Sequence, residues 1–190
     1  MKIEVRSDSV NISGYVNAVG RDSKPLVTGD GRCVEMVEPG TFRKALERAE
    51  DVELRLNHQI GSSYASVKGG TLKLAEDNIG LRAECTLTDP KMIDKARNKE
   101  FRGWSFGMYV NESRLESRAN DIPRRHLTDI DIFEVSLIDS RKSPCYAGTS
   151  VECRADGDFI EFRAMDFTDD DYETASADYS GYEKRLKALD

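Results

Sequence analysis

Residues 101–110 read FRGWSFGMYV. Trp104, Phe106, Met108 and Val110 alternate with Ser105, Gly107 and Tyr109. A period of two is the signature of a strand with one buried face. The second face is the unusual one, because it carries a serine with a glycine two residues on. Glycine weakens a strand interior and often marks a place where something approaches the backbone closely. The expectation is that Trp104, Phe106 and Met108 anchor the strand in the core. The small Ser105–Gly107 face is then a working surface, with room for a peptide or a histidine ring.

Strand periodicity recurs on both sides of this stretch. Residues 2–19 read as one or two strands, and CVEMVEP from Cys33 reads as another. Val52, Leu54 and Leu56 share a face in VELRLNH. GTLKLAED and GLRAECTLTD form a hairpin around Asp77, Asn78 and Gly80. HLTDIDIFEVSLID is a strand interrupted by a bulge, and DFIEFRAMDF is a final strand. Two helices separate these strands. In the first, Thr41 stands as N-cap before an apolar stripe of Phe42, Ala45, Leu46 and Ala49. In the second, Asp89 caps, Pro90 takes the first helical position, and Met92, Ile93 and Ala96 form the stripe. Residues 111–124 are polar and read as a loop or irregular hairpin. Roughly seven or eight short strands and two helices point to a mainly β, α+β chain. The architecture expected from these elements is a closed or strongly curved antiparallel β structure with the helices packed outside.

The chain has 190 residues, 38% hydrophobic and 33% charged, with a net charge of −7. Residues 166–190 hold eight acidic and three basic residues, which accounts for −5 of that total. Residues 1–165 therefore read as one nearly neutral domain, and 166–190 as an acidic, flexible tail that is dispensable for folding and open to removal. No basic stripe points to nucleic acid. No apolar run is long enough to span a membrane, and the first residues lack signal-peptide character. Cys33, Cys85, Cys145 and Cys153 contain no C-x-x-C pair and are expected as free thiols. With two histidines in the chain, no zinc-type cluster is expected, and no cofactor.

Three polar residues stand among apolar ones at strand positions: His58 in RLNHQ, Ser105 in GWSFG and Glu134 in FEVSL. A serine nucleophile needs a base for its proton, and the base needs an acceptor that holds its tautomer. These three residue types can fill those roles. Each also has a plain structural reading, as a satisfied core histidine, a solvent-face serine and a surface charge. The G-x-S-x-G elbow of α/β-hydrolases is absent.

Four segments together resemble the prohead maturation proteases of tailed bacteriophages. VEPGTFRKALERAEDVELRLNHQ (37–59) is similar to their PGAF…NHD pattern, and TLKLAEDNIGLRAECTLTD (71–89) to their L-x-L-x-E-D-x-x-G-L stretch. GWSFGM (103–108) resembles their MSFGF box, and IFEVSLID (132–139) their L-x-E-V-S-L-V box. The resemblance implies a serine endopeptidase with a herpesvirus-assembly-protease-like barrel, His58 as base, Ser105 as nucleophile and Glu134 as orienting acid. It also implies work inside the assembling prohead in the host cytoplasm, self-association, and cleavage of scaffold or capsid segments and of the chain itself. Two departures stand out. Gln59 follows the histidine where the family has Asp, and DSRKSPCYAGT (139–149) is longer and more polar than the usual ending.

Two other readings compete: a catalytically idle scaffold or assembly protein on the same fold, and a hydrolase of small esters. Within the protease reading, His126 competes with Glu134 for the third position. Glu134 lies in an apolar run, where an unpartnered carboxylate is costly. His126 follows Arg124 and Arg125 and reads as a solvated strand start.

Overall fold

The computed structural model describes residues 1–28, 31–119 and 121–141, and the backbone of 142–144, 152–153, 160–162 and 164–166. Along the chain run β1 (Lys2–Val5), β2 (Val10–Ala18), β3 (Leu26–Thr28), β4 (Gly31–Val37), α1 (Thr41–Arg48), β5 (Glu53–Leu56) and β6 (Ala65–Ser66). They continue with β7 (Leu72–Glu76), β8 (Gly80–Leu87), α2 (Pro90–Arg97), β9 (Gly103–Glu116) and β10 (Arg124–Ile138). The short strands β11 (Lys142–Pro144), β12 (Glu152–Cys153), β13 (Ile160–Phe162) and β14 (Ala164–Asp166) follow. The acidic stretch 167–190 lies outside the described residues.

The closed antiparallel barrel expected from the sequence does not form. The chain is mainly β with two helices, but its sheets are open. One sheet has four strands in the order β1-β2-β8-β7, with β1 and β7 as its edges. The larger sheet follows the path β12-β13-β9-β10-β4-β3, and β5 with β6 branches from it at β10. Strand β10 is the reason. Its 15 residues pair antiparallel with β9 along one edge. Along the other edge it is shared between two parallel partners, β4 at Arg124–Leu127 and β5 at Glu134–Leu137. A strand long enough to hold two neighbours on one edge splits the sheet, and parallel pairing cannot be read from a period of two.

The two helices differ in how they start. In α2, Asp89 accepts from the Met92 amide at 3.1 Å and Pro90 opens the helix, as the sequence suggests. In α1 the expected cap is displaced by one residue. Gly40 occupies the N-cap in a left-handed conformation, φ 88°, and Thr41 is the first helical residue. The Thr41 hydroxyl is buried and donates to the Leu127 carbonyl at 3.2 Å. The exposed amides of this helix start are met instead by Glu76 of β7, which accepts from Gly40 N at 2.5 Å and Arg43 N at 2.7 Å. A glutamate 36 residues away in sequence satisfies what a local cap otherwise would.

Residues 111–116, within the stretch expected as a loop or irregular hairpin, continue β9, and β10 returns antiparallel to them from Arg124. This arm is mostly exposed, so it shows no hydrophobic alternation. Polar cross-strand contacts hold it: Asn111 Nδ2 donates to Asp131 at 2.8 Å, and Arg48 from α1 bridges Asp129 and Asp131. Deeper in, Trp104, Phe106, Met108, Val135 and Leu137 are fully buried against Val52, Leu54, Leu56 and Phe42. The Phe42 ring of α1 meets the Phe106 ring edge-on at 5.3 Å.

Because Phe42 is fully buried and clamps α1 to β9, Phe42→Ala should cost about 3–5 kcal/mol of stability. Guanidinium unfolding of the two proteins measures this. A loss below about 1 kcal/mol would mean that α1 is not seated on the core as described.

Candidate active site

Six successive residues of β9, Gly103 to Met108, are buried, so this strand has no solvated face there. Ser105 itself has no exposed surface. Its neighbour across the sheet is Ser136, and Gly107 stands opposite Glu134. These four residues share the face away from Trp104, Phe106, Val135 and Leu137.

A bulge puts Glu134 on that face. The register of β10 on β9 runs Ile132↔Met108 and then Glu134↔Gly107, so Phe133 is an extra residue on the β10 side. Before the bulge the core residues of β10 are Ile130 and Ile132, and after it they are Val135 and Leu137. The inserted residue inverts the alternation. Without it Glu134 and Ser136 would continue the core face of Ile130 and Ile132.

Gly107 explains the glycine that the sequence leaves open. A Cβ there would sit 2.6 Å from Glu134 Oε1 and 2.7 Å from the Phe133 ring. The space above this glycine therefore belongs to the carboxylate of Glu134 and the ring of Phe133, rather than to a peptide or a histidine ring.

His58 reaches the same spot from β5. That strand runs parallel to β10 up to Leu56↔Leu137, after which the chain turns. Asn57 and His58 both take positive φ, 51° and 60°, and the Gln59 amide donates back to the Leu56 carbonyl at 3.0 Å. Positive φ at both central residues is the mirror-image turn, and Asn and His are among the side chains that tolerate it best. The turn is tied to β10 at two points and to Asp139, just past its end, at a third. Asn57 N donates to Leu137 O at 3.0 Å, His58 N donates to Ser136 Oγ at 3.0 Å, and Asn57 Oδ1 accepts from Asp139 N at 3.1 Å. Asp139 is in turn held by Lys95 of α2 at 2.9 Å and by Arg141. Burial alone would raise the Asp139 carboxyl, but these cations outweigh it and hold the group below its ordinary value.

The ring of His58 bridges the remaining gap. Nδ1 lies 2.6 Å from Glu134 Oε1, and Nε2 lies 2.8 Å from Ser105 Oγ. A carboxylate only accepts, so the ring proton sits on Nδ1, and Nε2 is left to accept from the serine hydroxyl. The second carboxylate oxygen, Oε2, accepts from Ser136 Oγ at 2.6 Å. The set Ser105–His58–Glu134 can draw a proton from the serine while the carboxylate stabilises the resulting imidazolium. Neither Ser105 nor Glu134 is exposed, and His58 is 7% exposed.

His126 is elsewhere, and it is not solvated as its sequence neighbours suggest. It is 5% exposed, with Nδ1 2.6 Å from Glu38 and Nε2 2.7 Å from Glu116. Ser136 was not singled out by residue type, although its spacing of two from Glu134 puts the pair on one strand face. Among the described residues no group of His, Cys, Asp and Glu is placed to hold a metal ion. Cys33 and Cys85 are buried, and burial pushes the Cys85 thiol up to about 12, so it is no thiolate nucleophile. The side chains of Cys145 and Cys153 lie outside the described residues.

The model of the Peptidase S78 family, caudovirus prohead serine protease, matches residues 1–161 of the 190. No curated protein and no solved structure matches the chain.

The Gly107 contacts make a sharp test. In Gly107→Ala the new methyl must displace both the Glu134 carboxylate and the Phe133 ring. The variant should lose about 1–3 kcal/mol of stability, and its crystal structure should show Glu134 withdrawn from His58. A variant as stable as the parent, with the contact intact, would contradict the packing described.

Proposed function

The chain belongs to the caudovirus prohead serine protease family, and from that premise we propose that it is an endopeptidase acting through Ser105, His58 and Glu134. The observation that carries this reading is the ring of His58 held between a serine hydroxyl at 2.8 Å and a buried carboxylate at 2.6 Å. Ser105 Oγ attacks the scissile carbonyl as its proton passes to His58 Nε2. The Nδ1 proton stays on its bond to Glu134, which orients the ring and stabilises its charged form. Nε2 then returns the proton to the leaving amine, and the Oγ–carbonyl ester remains. Water, deprotonated by the same nitrogen, releases the new carboxyl end and restores the serine. Water is the second reactant, and no cofactor is required.

The substrates of this reading are scaffold and capsid-protein segments and the chain itself, cut in the assembling prohead within the host cytoplasm. Self-association fits work in a closed shell, and the acidic residues 166–190 form a segment suited to removal during maturation. No helix among the described residues is long and apolar enough to cross a membrane. The engagement of both His126 nitrogens by Glu38 and Glu116 supports Glu134, rather than His126, as the third member.

Co-expression with the cognate capsid protein, followed by mass spectrometry of both products, tests this. Ser105→Ala should abolish cleavage in a folded chain, since loss of such a nucleophile costs about 10⁶-fold in a well-measured case. Glu134→Gln should lose on the order of 10³–10⁴-fold. His126→Ala should lower the melting temperature and leave the cleavage rate of the folded chain within about threefold, because a stability change in itself does not alter transition-state binding. Digestion by folded Ser105→Ala, or a crippled His126→Ala beside an active Glu134→Gln, would overturn the assignment.

A further inference from the structure

We infer that Ser136 is a positioning residue of the reaction, locking the Glu134 carboxylate and the backbone of His58 to each other. The inference rests on the proposed roles of Ser105, His58 and Glu134 and adds a fourth member that touches no substrate.

A serine hydroxyl offers one donor and two lone pairs. Ser136 uses both kinds. It donates to Glu134 Oε2 at 2.6 Å and accepts from the His58 amide at 3.0 Å. The first distance is that of a charge-assisted O–H···O bond. The residue has no exposed surface, so bulk water does not stand in for either contact. Each contact removes a specific freedom. With Oε2 bound, the carboxylate cannot rotate about its last torsion, and Oε1 stays aimed at Nδ1. With His58 N bound, the turn residue at φ 60° is held on β10 at the point where its ring must reach Ser105. The two ends of the His58–Glu134 bond are thus fixed by one hydroxyl.

Side-chain size matters as well. Ser136 faces Ser105 directly across the β9–β10 pair. Opposed side chains in such a pair have Cβ atoms only about 4.5–5.5 Å apart. A bulkier residue at 136 would press on the nucleophile, and an apolar one of equal size would leave two buried groups unmet. Serine is small enough for the site and able to meet both.

A serine serving only the fold would alter stability and leave the reactivity of folded molecules unchanged. The distinguishing measurement is the rate of covalent labelling by a rhodamine fluorophosphonate, in cells co-expressing the chain with its capsid protein, corrected for folded protein. Ser136→Ala should lower the maximal labelling rate about 10- to 100-fold, the range for a lost hydrogen bond to a charged group. The concentration for half-maximal labelling should stay within about threefold, since positioning acts on the reacting state. Added to Glu134→Ala, Ser136→Ala should cost less than about twofold more, because the two act as one unit. Ser136→Cys, near in size and a weak donor, carries the test if the alanine variant does not fold. If Glu134→Ala labels too slowly to compare, the split between rate and half-saturation decides alone. A maximal rate within about twofold of the parent, or an equal loss in both backgrounds, would overturn the inference. Ser105→Ala is the control. Undiminished labelling there would remove the proposed reacting set itself, whereas a silent Ser105→Ala beside a fully reactive Ser136→Ala would remove only the role of Ser136.

Discussion

Glu134 holds a carboxylate completely out of water, and a charge so placed has to be met on its lone pairs or it destabilises the fold. The neighbouring structure is arranged around that requirement. His58 meets one oxygen and Ser136 the other. Gly107 keeps the opposite strand clear, since any side chain there would collide with the carboxylate. The extra residue Phe133 turns Glu134 away from the core face that Ile130 and Ile132 occupy. Remove the bulge and the same carboxylate would point into the apolar interior.

The branched sheet supplies the other half of the site. Because β5 runs parallel to β10 and ends at Leu56 beside Leu137, the chain leaves the sheet next to Ser136 and Ile138. A two-residue turn of positive φ then suffices to swing the imidazole over Ser105. Such a turn stores backbone strain, on the order of 1–3 kcal/mol per residue, so it needs anchoring from outside. The anchors are two hydrogen bonds to β10, one to Asp139 just past it and, through Asp139, the Lys95 amine of α2. The short helix that looks peripheral in the sequence is therefore coupled to the position of the imidazole. Ser105 itself has no exposed surface.

What the sequence discloses follows from how local each cause is. The start of α2 was readable because Asp89 and Pro90 act within one turn. The start of α1 was not, because its amides are met by Glu76 from a distant strand and its cap is a left-handed glycine. The alternation in 101–110 gave the strand correctly but concealed that its second face is also buried, since a serine and a glycine look like solvent residues. Parallel pairing and the branching at β10 leave no mark in a period of two, so an open, divided sheet was mistaken for a closed antiparallel barrel. His126 looked solvated beside two arginines, whereas Glu38 and Glu116, both distant in sequence, enclose it. Residue type and motif resemblance named Ser105, His58 and Glu134, and the structure brings their side chains together. The reason for Gly107 required knowing where the bulge at Phe133 falls.

In the proposed reading one hydroxyl, that of Ser105, is activated by His58 and Glu134. The most direct measurement is tandem mass spectrometry of the chain after reaction with a fluorophosphonate in the presence of its capsid protein, mapping the adduct to a residue. A single adduct on Ser105 is expected, formed by the folded chain and lost on denaturation. An adduct on another serine, or none from a chain that is digesting capsid protein, would contradict it.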